Sequence, residues 1–245
     1  MAGHSKWNNI KRKKGKTDAQ RAKVFTKVGR ELTVAVRESG ADPSANGKLR
    51  DCIAKAKANN VPNDNIERII KKASGESGAV AFEQMIYEGY GPGGVAFIVE
   101  CLTDNKNRTA ADLRHYFDKN GGNLGLPGSV MYMFTRRGLI LIEAKVANEE
   151  KMMEDVLSAG AEDLVLNDGV YEIITEPNDI GKVREALELC GYKFLSCELE
   201  YSPSTYTSLS NENLVKMEKL LDMLMDNDDV QDSWHNCDNL PEQDE

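Results

Sequence analysis

The spacing of the apolar residues changes once along the chain, and this change separates two kinds of secondary structure. From residue 18 to residue 75, apolar residues recur at steps of three and four, which is typical of amphipathic helices, whereas residues 1–17 show no period. After a glycine- and serine-containing link at residues 75–78, the spacing falls towards two, which is typical of strands. The sequence therefore predicts an N-terminal helical part followed by a part that mixes strands and helices.

Three short helices are predicted in the N-terminal part. The first covers residues 18–39. The second is expected to begin at Asp42-Pro43, because an aspartate can cap a first turn and proline fits the first helical position. The third covers residues 63–74. Helices of this length are marginal alone in water, so we expect them to pack together as a three-helix bundle.

The rest of the chain contains a complete β-α-β-β-α-β series within residues 139–202, which is the ferredoxin-like order. Its predicted elements are strand 139–143, helix 149–159, strands 163–166 and 171–175, helix 179–190 and strand 194–200. Further elements flank this series on both sides: strands 85–88, 95–102 and 129–134 with helix 107–119 before it, and strands 206–209 and 230–234 with helix 211–225 after it. We therefore predict that the complete module is inserted into a second α/β domain.

The expected fold class is α+β with three domains, namely an N-terminal three-helix bundle and two ferredoxin-like α/β domains, one inserted in the other. The predicted boundaries are residues 1–78 for the basic arm and helical bundle, residues 79–138 plus 203–245 for one α/β domain, and residues 139–202 for the inserted domain.

Positive and negative charges are concentrated in different parts of the chain. Residues 1–72 contain 18 Lys and Arg against 7 Asp and Glu, a net charge of +11, whereas the remainder has 13 against 33, a net charge of −20. A basic head on an acidic body favours a strongly anionic partner, and nucleic acid is the usual one. The residues predicted to bind nucleic acid are Lys6, Trp7, Lys11, Arg12, Lys13, Lys14, Lys16, Arg21, Lys23, Lys27 and Arg30.

Two features of the predicted interface have alternative explanations. Trp7 lies among lysines, where its ring either stacks on an unpaired base, for about 1–3 kcal/mol, or packs against a neighbouring domain. Lys106 and Arg108 stand at the start of helix 107–119, where exposed backbone amides can hold a phosphate. Capping of that helix explains the same residues, so they are predicted only as secondary phosphate contacts.

Residues 89–94 (GYGPGG) match the dinucleotide-binding pattern G-x-G-x-x-G. In a dinucleotide fold this pattern ends a strand and opens a helix whose N-terminus holds the pyrophosphate. Here a strand-like run at residues 95–99 follows it, and a proline lies inside the motif. We therefore predict a tight hairpin loop and no dinucleotide.

Patterns that indicate an enzyme are weak. The three histidines have no metal-ligand spacing, and neither a P-loop nor a nucleophile elbow occurs. Asp226, Asp228, Asp229 and Asp232 are interpreted as a solvated acidic turn, although they could bind a cation. We predict a non-enzymatic protein with no metal and no cofactor. A metal-dependent nuclease that uses clustered carboxylates is the enzymatic alternative.

The sequence also carries expectations about the compartment. The five cysteines are odd in number and have no paired spacing, which argues against a disulfide framework or a zinc site and favours a reducing environment. The start of the chain has no apolar signal region, and the longest apolar run, residues 95–99, is far shorter than the roughly 20 residues of a membrane span. A cytoplasmic protein without membrane contact is therefore predicted.

Several long motifs, in order, resemble the YebC/PmpR family, which also includes the mitochondrial translational activator of cytochrome oxidase subunit I. They are GHSKW at 3–7 with the basic block after it, DNIER at 64–68, YEGYGPGG at 87–94, LTDNKNRT at 102–109 and GSVMYMF at 128–134. One departure is Gly47-Lys48, where the family pattern has Pro-Arg, and it concerns only the start of the second helix. The resemblance implies an N-terminal helical domain and two α/β domains, one inserted in the other.

The resemblance also implies a non-enzymatic regulator of gene expression. Family members are commonly described as DNA-binding transcriptional regulators, while others act in translation on the ribosome, where proline-rich stretches stall synthesis. Promoter DNA would require a recognition helix that reads base edges, whereas flexible lysines suit recognition of RNA by shape. The expected partner is therefore promoter DNA or, in the alternative, ribosomal RNA with ribosome association.

Overall fold

The computed structural model describes residues 18–75, 81–146, 148–167 and 169–241, and it confirms the predicted α+β class. Its helices are α1 (Asp18–Ser39), α2 (Gly47–Ala58), α3 (Asn63–Gly75), α4 (Lys106–Lys119), α5 (Glu149–Ala159), α6 (Ile180–Leu189) and α7 (Asn211–Asp226). Its strands are β1 (Glu83–Tyr90), β2 (Ala96–Thr103), β3 (Asn123–Leu124), β4 (Phe134–Glu143), β5 (Asp163–Asn167), β6 (Val170–Thr175), β7 (Ser196–Pro203) and β8 (Val230–His235).

The chain divides into two compact units. One unit contains Met131–Tyr206, and the other contains the described parts of Arg12–Val130 and Thr207–Glu245. The three domain boundaries expected from the sequence stay a prediction. Within the described residues, no helix is both long enough and apolar enough to cross a bilayer.

The unit formed by Met131–Tyr206 has the ferredoxin-like arrangement expected of its element order. Its antiparallel strands lie in the order β5-β6-β4-β7. Helices α5 and α6 bury Met152 and Val183 against Ile140 and Ile173 of the sheet. The central strand β4 begins at Phe134, five residues earlier than predicted, because residues 134–138 pair with β7.

The sheet of the other unit has the strand order β3-β1-β2-β8, and its neighbouring strands are antiparallel. Helices α4 and α7 cover one face, where Phe97 and Val99 of β2 pack with Leu113, Phe117 and Met217. Ala96 and Ile98, which point to the opposite face of β2, are fully buried as well, so this strand is a nearly continuous apolar run rather than an alternating one.

Two of the predicted strands are wrong. Residues 131–133 form a single 3-10 turn (Met131–Met133), so the predicted strand 129–134 is absent. Residues 206–209 make one isolated bridge, between Thr207 and Cys237. Strand β3 was not predicted, because two residues are too few to show a period.

The helical bundle packs as predicted around Leu32 and Leu49, but its second helix begins at Gly47 and not at Asp42-Pro43. Buried Asn46 is the capping residue, since its Oδ1 accepts a 3.0 Å hydrogen bond from the Leu49 amide. Asn46 Nδ2 also donates to two carbonyls near the end of α1. Asp42 instead accepts hydrogen bonds from Ser44 in the preceding turn.

The glycine-rich motif at residues 89–94 is the hairpin loop between β1 and β2, as predicted. Gly93 has a φ of 68°, a conformation that favours glycine. A Cβ atom at Gly91 would lie 2.6 Å from Cε2 of Phe97, so a side chain there would collide with the core. Tight packing therefore accounts for these glycines without a nucleotide.

Candidate nucleic-acid interface

The basic N-terminal segment that dominates the predicted interface is largely outside the described residues. The predicted residues that precede residue 18 are Lys6, Trp7, Lys11, Arg12, Lys13, Lys14 and Lys16. Arg21 lies on helix α1, but its side chain is also outside the described part. Their contact with nucleic acid stays a prediction. Lys23, Lys27 and Arg30 are described.

These three cations form one row along α1, at positions i, i+4 and i+7. The row faces the end of α7 and the turn after it. Lys23 Nζ lies 2.7 Å from Asp226 Oδ1, and Lys27 Nζ donates a 2.8 Å hydrogen bond to the carbonyl of Met225. Cations are favoured at this place, because the last carbonyls of a helix carry partial negative charge.

The row ends at Asp229, a buried carboxylate shared by two arginines. Arg30 Nη1 lies 2.6 Å from Asp229 Oδ1, and Arg108 Nη2 lies 2.7 Å from Oδ2. The hydroxyls of Thr109 and Thr103 donate to Oδ2 at 2.8 Å and 3.1 Å. Burial by itself raises the pKa of Asp229, but the hydrogen bonds from Arg108, Arg30 and Thr109 outweigh it and hold the pKa below its usual value.

Asp229 is therefore not part of a solvated acidic turn, and that interpretation of the sequence is corrected for this residue. The residue sits between α1, the start of α4 and the turn before β8, and it joins all three. No local pattern distinguishes it from its exposed neighbour Asp228. Its role depends on Arg30, which is 199 residues away in the chain.

The predicted secondary phosphate contacts at the start of α4 have partners within the protein. Lys106 Nζ lies 2.5 Å from Glu83, and Arg108 contacts Asp104 as well as Asp229. Asn105 caps the helix, since its Oδ1 accepts a hydrogen bond from the Arg108 amide. Capping is thus observed at this helix start, and phosphate contact by Lys106 and Arg108 stays a prediction.

A second group of cations lies exposed on the bundle, and it was absent from the residues predicted individually. Arg68, Lys71 and Lys72 of α3 are exposed and lie at positions i, i+3 and i+4, so they share one side of the helix. Lys57 near the end of α2 is also exposed. The only signal for them in the sequence is their contribution to the +11 charge of residues 1–72.

Glu100 of β2, in contrast to Asp229, is a carboxylate in an environment that disfavours its ionised form. It lies opposite Asp232 in the strand register, and its Oε1 accepts a hydrogen bond from the side-chain amide of Gln84. Burial is the main cause that raises the pKa of Glu100, and the negative charge of Asp232 adds to it. The ionised form of Glu100 is therefore destabilising in the folded protein.

We expect Glu100→Gln to stabilise the protein at pH 7 by about 0.2–1 kcal/mol, because it removes a like-charge cross-strand pair. Since the pKa of Glu100 is raised in the folded state, ionisation of Glu100 lowers the free energy of unfolding as pH rises above the ordinary pKa of 4.5. The gain should therefore disappear below that pH. Thermal unfolding at pH 7 and pH 4 measures it, and Glu143→Gln, on an exposed site of β4, is the control. An equal gain at both pH values would contradict the prediction.

The thiols of three buried cysteines are difficult to ionise, and the described residues contain no cluster that could hold a metal ion. Burial raises the pKa of the Cys52 thiol to about 12 and also raises the pKa of the Cys101 and Cys237 thiols. Across residues 18–75, 81–146, 148–167 and 169–241, no group of three or more His, Cys, Asp or Glu residues is placed to hold a metal ion.

Comparison with known proteins assigns both parts of the chain to one group of families. Residues 5–76 match the family model described as the TACO1/YebC protein N-terminal domain. Residues 82–237 match the model described as the TACO1/YebC second and third domain.

Similar proteins span nearly the full length of this chain. It is 57% identical over 240 residues to a probable transcriptional regulatory protein of Finegoldia magna, covering 98% of this chain and 100% of that one. It is also 57% identical over 237 residues to a probable transcriptional regulatory protein of Caldicellulosiruptor bescii, covering 96% and 98%. The crystal structure of a conserved hypothetical protein from Aquifex aeolicus superposes with a TM-score of 0.83 at 43% identity, covering 93% of this chain and 94% of that one.

Proposed function

Because the chain belongs to the TACO1/YebC family, whose relatives are named probable transcriptional regulatory proteins, we propose that it is a non-enzymatic regulator of gene expression that binds nucleic acid through its basic N-terminal domain. The observation that carries the proposal is the separation of charge, with +11 in residues 1–72 and −20 in the remainder. The acidic remainder repels phosphates, so the basic part provides the contact surface.

The proposed surface combines two sets of cations. Residues 1–17 supply six Lys and Arg and no acidic residue. Helix α3 adds the exposed side chains of Arg68, Lys71 and Lys72. Each cation that neutralises a phosphate releases counterions, so affinity depends on the number of contacts and falls steeply with salt.

The choice between DNA and RNA follows from what these side chains recognise. Lysine and arginine on an exposed helix bind phosphates readily, and phosphate contacts position a protein without reading sequence. This favours shape-dependent binding, which suits structured RNA on the ribosome. The names of the relatives favour promoter DNA. We give more weight to the names of the relatives and propose transcriptional regulation as the function. Ribosome binding in translation is the second candidate, because the chemistry of the exposed cations favours it.

The test measures both targets with the same protein. Gel shifts on a promoter duplex and on a scrambled duplex are run beside co-sedimentation with purified ribosomes, each from low to physiological salt. A promoter preference of about tenfold or more, equal to about 1.4 kcal/mol, supports the transcriptional role. The translational role is supported if the protein still binds ribosomes at physiological salt. In that case it should bind the two duplexes equally well at low salt and bind neither at physiological salt. If the protein binds neither target at low salt, the proposal is wrong.

A further inference from the structure

The row of cations on α1 has an outer and an inner part that differ in exposure. In the outer pair, the side chains of Lys23 and Asp226 are 37% and 59% exposed. In the inner pair, the side chains of Arg30 and Asp229 are 18% and 4% exposed. Lys27 lies between them and donates to a backbone carbonyl, which carries no full charge. The carboxylate that pairs with Lys23, near the start of α1, is therefore far more exposed than the one that pairs with Arg30.

The two ends of the row should respond differently to a competing anion. An exposed lysine–carboxylate pair contributes about 0–1 kcal/mol and is screened by salt. The inner pair is much less exposed, and Asp229 also accepts hydrogen bonds from Arg108 and Thr109, so opening it would disrupt a network around a buried carboxylate. An anion can thus displace Asp226 from Lys23 at small cost, while Arg30 stays bound to Asp229.

Phosphate is the anion that suits this exchange. Carboxylate and phosphate oxygens accept the same charge-assisted hydrogen bonds from an ammonium group. Lys23 lies five residues after the start of α1, about 7.5 Å along the helix axis, and the basic segment of residues 6–16 immediately precedes that helix. A nucleic acid held by that segment would therefore bring phosphates close to Lys23 and Lys27.

We propose that the Asp226 carboxylate occupies the place of a phosphate. It binds Lys23 in the free protein, and a phosphate group replaces it when nucleic acid binds. The inference rests on the proposed function. It gives Lys23 and Lys27 a place in the interface and assigns Arg30 to the structural connection between α1 and the turn before β8. The pair between Lys23 and Asp226 then competes with binding and lowers affinity in the intact chain.

The test is the variant Asp226→Asn, assayed in the full chain on a defined duplex and on purified ribosomes. Freeing Lys23 should raise affinity for the bound target about two- to fivefold. Asp222→Asn is the matched control, because Asp222 is exposed on the same helix one turn earlier and the substitution changes net charge equally. Asp222→Asn should change the logarithm of the affinity by less than half as much as Asp226→Asn does.

A double-mutant cycle separates the specific exchange from general electrostatics. In the Lys23→Met background, Asp226→Asn should change affinity no more than Asp222→Asn does. Equal effects of the two aspartate variants in the wild-type background, or a persistent gain without Lys23, would overturn the proposal. Failure of the wild-type protein to bind either target overturns the proposed function instead, and that result is seen before any variant is compared.

Discussion

Asp229→Ala is expected to destabilise the protein by about 1.5–3 kcal/mol, because it removes the buried carboxylate on which several charge-assisted hydrogen bonds converge. The Asp229 carboxylate accepts hydrogen bonds from Arg30, Arg108, Thr103 and Thr109. Without it, the guanidinium group of Arg30 loses its carboxylate partner at a site where its side chain is 18% exposed. The connection between α1 and the sheet should weaken most.

Urea unfolding at pH 7 measures this loss, with Asp228→Ala as the matched control. Asp228 is the exposed neighbour, and its contact with Arg30 is made by the backbone carbonyl, which the substitution keeps. The control should therefore change stability by no more than about 0.5 kcal/mol. Similar losses for the two variants would show that the buried carboxylate has no special role.

The same network predicts a pH dependence. The pKa of Asp229 is lowered in the folded protein, so the carboxylate contributes stability that is fully present above its usual value of 3.8. That contribution is lost as pH falls through the folded-state pKa. The difference in stability between wild type and Asp229→Ala should therefore be constant near neutral pH and shrink below pH 3.8. Acid unfolding of the two proteins, followed side by side, measures the difference.

Changing Lys11, Arg12, Lys13 and Lys14 together to alanine is expected to have the largest effect on binding. If all four contact phosphates of duplex DNA, the slope of log affinity against log salt should become shallower by about 3.6, or by about 2.8 on single strands. Affinity at low salt should fall by about tenfold or more. Gel shift and ribosome co-sedimentation over a salt series measure both quantities.

A charge-matched control variant distinguishes location from net charge. Lys145, Lys151, Lys182 and Lys193 are exposed lysines of the ferredoxin-like unit, and their replacement by alanine removes the same four positive charges. This variant should keep the salt slope and bind within about twofold of wild type. If both quadruple variants lose affinity equally, only net charge matters, and the assignment of binding to the N-terminal segment is wrong.

Most helices and strands could be predicted, because burial on one side of a regular element leaves a period in the sequence. Helix α5 has the predicted bounds, and the order of elements in residues 139–202 gave the ferredoxin-like arrangement that the sheet order confirms. The errors lie where local signals compete. Asp42-Pro43 has the chemistry of a helix start, yet Asn46 caps α2 because its side chain can also bond to the end of α1.

The candidate interface was predictable only as a charge distribution. The +11 charge of residues 1–72 identifies the part of the chain that can approach phosphates, and the family resemblance agrees with the family shown by comparison. The sequence alone does not separate exposed cations from those with partners. Lys23 and Lys72 have the same chemistry, but only Lys23 faces the end of α7.

The sequence by itself determined the class of fold, the order of its elements and the division of charge, since each depends on residues close together in the chain. The tertiary structure alone decided that Asp229 is buried and that Lys23 and Arg30 face carboxylates. Those pairs join residues about 200 positions apart, at separations of 203 and 199. A charged residue can be buried only when the fold brings such distant partners next to it. The local sequence therefore does not predict that Asp229 is buried.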